Sequence, residues 1–204
     1  SCLSGVGECE TCDFKSLVKC VSPLRLPFDS YKLLDIRMSR KILKKADIKI
    51  ALSSAVKEKL RLCGINKGTV IVPNPVDTAL FSKISKKTIA SLKKGWDLGK
   101  ITVTFVGPLT QNKGILEALK VMVPILKNHK EATFLIVGKG SLRKQIDIEV
   151  KENDLGTQIK VVGYLPYKEI PKVYSVSDII VFPSIWQEPF GRIAIEAMAA
   201  GKPI

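Results

Sequence analysis

The chain has 204 residues, 46% hydrophobic and 25% charged, an ordinary globular composition with room for one large domain or a domain plus a fragment. No apolar run reaches the roughly 18 residues needed to span a bilayer, and the start lacks a basic-apolar-small signal. The net charge is +14, and it is uneven: residues 1–100 hold 20 Lys and Arg against 9 Asp and Glu, residues 101–204 hold 13 against 10. A basic front half attracts nucleic acid, anionic lipid or phosphorylated substrates, and a Lys-rich solvated surface accounts for it equally well.

In chain order, residues 1–30 read as loop and carry Cys2, Cys9, Cys12 and Cys20. Four thiolates at that spacing could hold a structural zinc ion, pair as two disulfides, or stay unrelated thiols. Cys63 stands apart. Tyr31–Ala46 is expected to be a basic amphipathic helix, with Leu34, Met38 and Ile42 on one side. That suits contact with an anionic membrane surface, and equally an ordinary core-facing helix with a wet back. Ile48–Leu52 is a short strand, Ala55–Leu62 a helix and Thr69–Val72 a strand. Pro73-Asn74-Pro75 stops regular structure. Ser82–Gly99 is Lys- and Ser-rich and reads as a linker.

From there strands and helices alternate. Strands are expected at Ile101–Val106, Thr133–Val137, Ile159–Val162 and Ile179–Phe182, and helices at Gly114–Asn128, Leu142–Glu152, Tyr167–Val176 and Gly191–Ala200. Such alternation builds a parallel sheet covered by helices on both faces, with ligands past the carboxyl ends of the strands. The tail, Ala199 to Ile204, reads as a helix end, a turn and the first residue of a further strand, as expected of a piece of a longer chain.

The segment Glu188-Pro189-Phe190-Gly191-Arg192-Ile193-Ala194-Ile195-Glu196 follows a strand and opens a helix. Phe190 and Gly191 sit at the helix N-terminus, where free N–H groups and the positive dipole end attract anions. Glu196 is a carboxylate among Ile, Ala and Met, costly unless paired, and the hydroxyls of a ribose would suit it. Glu188, in the loop, could accept bonds from sugar hydroxyls. A surface Glu plus a structural Glu is the plainer alternative. His129, the only His, reads as a solvated helix-end residue.

The run Glu188 to Glu196, continuing into Ala-Met-Ala-Ala-Gly-Lys-Pro, resembles the donor-site signature of family 4 retaining glycosyltransferases, group 1 enzymes of the GT-B type. Phe182-Pro183-Ser184-Ile185-Trp186-Gln187, Val72-Pro73-Asn74-Pro75-Val76-Asp77 with Phe81, Gly107-Pro108-Leu109 with Lys113-Gly114, and Val137-Gly138-Lys139-Gly140 fit it in order and spacing. The resemblance runs from about residue 46 to 204. It implies an α/β fold with a doubly wound, Rossmann-like C-terminal domain over 86–204 that binds the donor. Residues 1–85 would close the acceptor-side domain.

By the same resemblance, Glu196 would hold the nucleotide ribose and Glu188 the transferred sugar. Phe190 and Gly191 would offer N–H groups, Gly107 would line the donor site after the first strand, and Lys113 would neutralise the leaving diphosphate. Tyr164 and Leu165, after the next-to-last strand, are candidates to face the base. The family usually carries Arg where this chain has Pro108, which carries no charge, so Arg192 is the candidate replacement. No Asp-x-Asp motif stands in a suitable loop, so no metal or other cofactor is expected for donor binding.

The implied activity is transfer of a hexose from a nucleoside diphosphate sugar to a saccharide or lipid hydroxyl, in cell-envelope polysaccharide or glycolipid synthesis. It would take place in the cytoplasm or at the inner face of a membrane. A nucleotide-sugar epimerase, a phosphorylase, or a basic zinc module binding nucleic acid through residues 1–60 are the rival readings. The last would leave the motifs after residue 70 unexplained.

Overall fold

The computed structural model describes residues 38–82 and 84–204. The chain divides into two compact units, Ser1–Asn74 and Pro75–Ile204.

In the first unit, residues 38–45 are helical, and Met38 and Ile42 are exposed. Strands β1 (Lys49–Ala51) and β2 (Thr69–Ile71) pair in parallel, and helix α1 (Ser54–Leu62) connects them. Ser53 caps α1, its hydroxyl accepting from the Val56 N–H at 3.3 Å. Cys63 is a free thiol. The cluster Cys2, Cys9, Cys12 and Cys20, the zinc expectation attached to it, and the front of the expected helix lie outside the described residues.

The second unit is built on four parallel strands, β3 (Ile101–Val106), β4 (Ala132–Val137), β5 (Ile159–Gly163) and β6 (Ile179–Val181), in the order β5-β4-β3-β6. Pairing of β3 with β4 runs from Ile101 opposite Ala132 to Val106 opposite Val137. All six residues of β4 are buried, as a strand covered on both faces must be. Alternate residues serve two cores. Phe134 and Ile136 join Phe105 under helices α4 (Ile115–Asn128) and α5 (Arg143–Glu152). Leu135 and Val137 join Ile180 on the other face, under α6 (Ile170–Val176) and α7 (Arg192–Ala199). Helix α4 buries Ile115, Ala118, Leu119, Met122 and Leu126, one stripe at helical spacing.

One expectation is corrected here. Ser82–Gly99 is no linker: α3 (Lys86–Gly95) fills its centre, capped by the Ser85 hydroxyl, which accepts from the Thr88 N–H at 3.1 Å. Ile89, Leu92 and Trp96, spaced for one helix face, pack on the second core, and the lysines are the wet back of that face. The two compact units meet at Asn74–Pro75. Helix α2 (Thr78–Ser82) packs against α6 and α7, because Phe81 is buried edge-to-face on Tyr174, ring centroids 5.5 Å apart. At the other end, Ile180 donates its N–H to the Pro203 carbonyl at 2.9 Å, which sets the last residues beside β6.

Candidate functional site

The strand order fixes where a ligand can sit. From β3 the chain steps outward to β4 and β5, then returns to lay β6 on the opposite side of β3. The loops leaving β3 and β6 therefore stand at the carboxyl ends of adjacent strands whose helices go to opposite faces of the sheet, the place where a ligand crevice opens in such folds. Residues 107–114 line one side and residues 182–191 the other.

The two loops are also stitched together. Ile185 donates its N–H to the Asn112 carbonyl at 3.1 Å. Gly114 follows the short 3-10 turn Gln111–Lys113 with φ +67°, and a Cβ on it would lie 1.9 Å from the Pro183 carbonyl oxygen. Only glycine permits both that backbone conformation and that approach.

This approach brings Lys113 to Glu188. Glu188 Oε1 accepts from Lys113 Nζ, from the Ser184 hydroxyl at 2.6 Å and from the Trp186 indole N–H at 2.9 Å. The ammonium also lies 5.1 Å from the centre of the Trp186 ring, a cation–π contact. Burial alone would raise the Glu188 carboxyl, but the bonds from Lys113, Ser184 and Trp186 outweigh it and hold it below the usual carboxylate range. Glu188 is therefore a carboxylate at neutral pH, with Oε2 outside all three of these bonds.

A second pair stands on α7. Gly191, φ +77°, opens the helix without a side-chain cap, so the first N–H groups of α7 keep the character of an anion-binding end. Half-buried Phe190 precedes it. Arg192 donates to Glu196 Oε1 at 3.2 Å and lies 5.0 Å from the centre of the Tyr167 ring. Glu196 is 4% exposed, and the Tyr174 hydroxyl donates to its Oε2 at 3.2 Å. Burial, and then the charge of Glu196, raise the Tyr174 phenol far above its ordinary value, so it stays a donor. Sequence reasoning left the buried Glu196 to be satisfied by a ligand; Arg192 and Tyr174 already pair with it. Arg192, the candidate replacement for the missing Arg at Pro108, is engaged by Glu196 and Tyr167 in this structure. Pro108 itself is exposed.

The remaining candidates spread along the strand ends. Gly107 follows β3, its N–H donating to the Val137 carbonyl at 2.9 Å. Gly138 serves loop packing, since a Cβ there would lie 1.8 Å from the Gly107 oxygen. Tyr164, 64% exposed, follows β5 with Lys139 Nζ 4.9 Å from its ring centre. Leu165 is half-buried against the second core. His129 lies on the surface, 3.4 Å from Glu131. The structure thus brings Lys113 to Glu188 and Arg192 to Glu196, while Tyr164 and Leu165 belong to the β5 loop. Individual roles for Ser184, Trp186, Tyr167 and Tyr174 escaped the sequence reading. The i, i+4 spacing of Arg192 and Glu196 was a usable signal; nothing local pointed from Tyr174 to Glu196. Among the described residues, no group of three or more His, Cys, Asp or Glu could hold a metal ion.

Residues 86–204 match the family model for glycosyl transferases group 1. The chain is 32% identical over 137 residues to the 2-deoxystreptamine glucosyltransferase of Streptomyces kanamyceticus, covering 66% of this chain and 35% of that protein. It is 36% identical over 112 residues to spore coat protein SA of Bacillus subtilis, 52% of this chain and 30% of that one. Anabaena HepE, solved in complex with UDP, superposes with a TM-score of 0.72 at 22% identity, covering 83% of this chain and 47% of HepE. HepE has also been solved with UDP-glucose. This chain therefore spans about a third of the length of these curated relatives. The fold expected from the sequence, α/β of the GT-B type with a Rossmann-like parallel sheet, is the one observed. With the family model matched over residues 86–204, more than half of its length, the chain belongs to the glycosyl transferases group 1 family.

Proposed function

We propose that the second unit is the donor-binding part of a retaining hexosyltransferase that uses a nucleoside diphosphate sugar. The observation that carries this reading is the meeting of Lys113 and Glu188 at the crevice between β3 and β6, from loops far apart in sequence. One supplies a cation for a diphosphate and the other a carboxylate for sugar hydroxyls, adjacent to each other as phosphate and sugar are in a donor.

The remaining roles follow from position. The open end of α7 at Phe190 and Gly191 would take phosphate oxygens on its N–H groups. Glu196, held by Tyr174, would receive the ribose hydroxyls once Arg192 swings toward the phosphates. Tyr164 and Leu165 would flank the base. Lys113 contributes most as the glycosidic bond breaks, because negative charge builds on the departing diphosphate. An acceptor hydroxyl on a saccharide or lipid of the cell envelope agrees with the spore-coat relative. Among the described residues no helix is long and apolar enough to cross a membrane, and the basic front half would serve peripheral contact with an anionic surface.

Thermal denaturation with uridine, guanosine and adenosine diphosphate sugars tests the reading. One of them should raise the melting temperature at millimolar concentration, and Lys113→Ala should abolish the rise. A chain that answers to none of them does not hold a donor site.

A further inference from the structure

Lys113 is the only basic residue in the loop 107–114, and it is already taken. Its ammonium is held by Glu188 and lies against the Trp186 ring; the two charged side chains are 22% and 16% exposed. An incoming diphosphate competes with Glu188 for the Lys113 ammonium, and as it draws the ammonium over it leaves a half-buried carboxylate beside a second anion. Such stranding costs free energy unless new donors reach the carboxylate. A nucleotide that carries a sugar brings those donors, because its hydroxyls can bond to Glu188. A bare nucleoside diphosphate lacks the sugar, and its ribose hydroxyls are taken up at Glu196 in the donor-site reading.

Resting on the donor-site reading above, we propose that Glu188 is a latch on Lys113, opened by a nucleotide that brings a sugar, so that the site separates the sugar donor from the free nucleoside diphosphate. Ser184 and Trp186 are positioning residues for that latch. Their bonds to Oε1 keep Glu188 in place while Lys113 turns to the phosphate, and leave Oε2 to meet the sugar. After transfer the sugar hydroxyls are gone, Glu188 reclaims Lys113, and the product nucleotide loses its cation.

The test is calorimetric titration of UDP, UDP-glucose, GDP and GDP-mannose into the 204-residue chain and its variants, each checked for an unchanged fold by circular dichroism. Glu188→Gln removes the competing charge at constant size. It should bind the free nucleoside diphosphate about tenfold more tightly and narrow the preference for the sugar-bearing form. Adding Lys113→Ala to that variant should erase the gain. Ser184→Ala and Trp186→Phe should weaken binding of the sugar nucleotide and spare the free nucleotide, whereas a merely structural role would weaken both. An unchanged ratio in Glu188→Gln, or a gain that survives Lys113→Ala, overturns the latch while nucleotide binding by the parent chain keeps the donor-site reading. Failure of the parent chain to bind all four nucleotides overturns both.

Discussion

Lys113 and Glu188 come from two loops and meet because a glycine lets the loops touch, whereas Arg192 and Glu196 stand one turn apart on a single helix. Both pairs set one cation against one carboxylate. The loop pair is held by hydroxyl and indole donors at the crevice. The helix pair is anchored from beneath by Tyr174, a fully buried side chain of the second core. The lesson is that similar charges differ in what supports them. Damage to the core should reach the helix pair, and damage to the loop contact should reach the loop pair.

The comparison can be broken most violently at Tyr174. Tyr174→Ala removes a fully buried ring packed on Phe81 and should cost about 3–5 kcal/mol of stability, measured by urea unfolding. Tyr174→Phe keeps the ring and loses the bond to Glu196, so it should cost about 1 kcal/mol and weaken nucleotide binding. If Tyr174→Phe binds nucleotide like the parent chain, the anchor beneath Glu196 has no functional part.

On the loop side, Gly114→Ala forces a side chain onto a left-handed backbone and against the Pro183 carbonyl. Backbone strain alone should cost about 1–3 kcal/mol, and the loops must also part. Nucleotide binding should then fall together with the Lys113–Glu188 contact, visible as altered emission from Trp186. Full binding in this variant would show that the loop contact does not build the site.

Glu196→Ala should weaken nucleoside diphosphate binding by roughly 1–3 kcal/mol through lost charge-assisted hydrogen bonds. Calorimetry on the folded variant reads this directly. Unchanged affinity would remove Glu196 from the proposed ribose contact.

The smallest effect is electrostatic. The Glu188 carboxyl is held below its ordinary value, so its contribution to stability is present above the unfolded-state carboxyl range and is lost as pH falls through the lower, folded one. Melting curves from pH 6 down to about pH 3 should therefore fall more steeply for the parent chain than for Glu188→Gln. Parallel curves would mean that the bonds from Lys113, Ser184 and Trp186 do not stabilise the charged form.

Much of the fold was legible because periodicity reports burial. Ile101–Val106 was read to the residue, since its β-branched run is a strand between two neighbours. The segment 86–95 was not, because lysines and serines outnumber the few apolar residues that anchor it. Composition weighs all residues equally, whereas packing weighs the face that meets the core. Thr78–Ser82 was missed for a related reason: five residues are too few to show a period, and Phe81 is buried through a partner far along the chain. In the site, the two Glu and the Lys were found from their setting and their resemblance to a family pattern. Tyr174 falls within the helix expected at Tyr167–Val176, and its hydroxyl gave no sign of its partner.

By itself the sequence determined the alternation of strands and helices, the side of the sheet where chemistry must gather, and the charged residues available there. Those properties are local: they depend on spacing of a few residues and on which groups can be buried alone. Only the tertiary structure decided that Lys113 answers to Glu188 and that Tyr174 holds Glu196 from beneath. Pairings of that kind depend on the return of β6 to the far side of β3 and on the contact between Gly114 and Pro183. Contacts between distant segments are set by the packing of whole elements, and no short stretch of sequence contains that information.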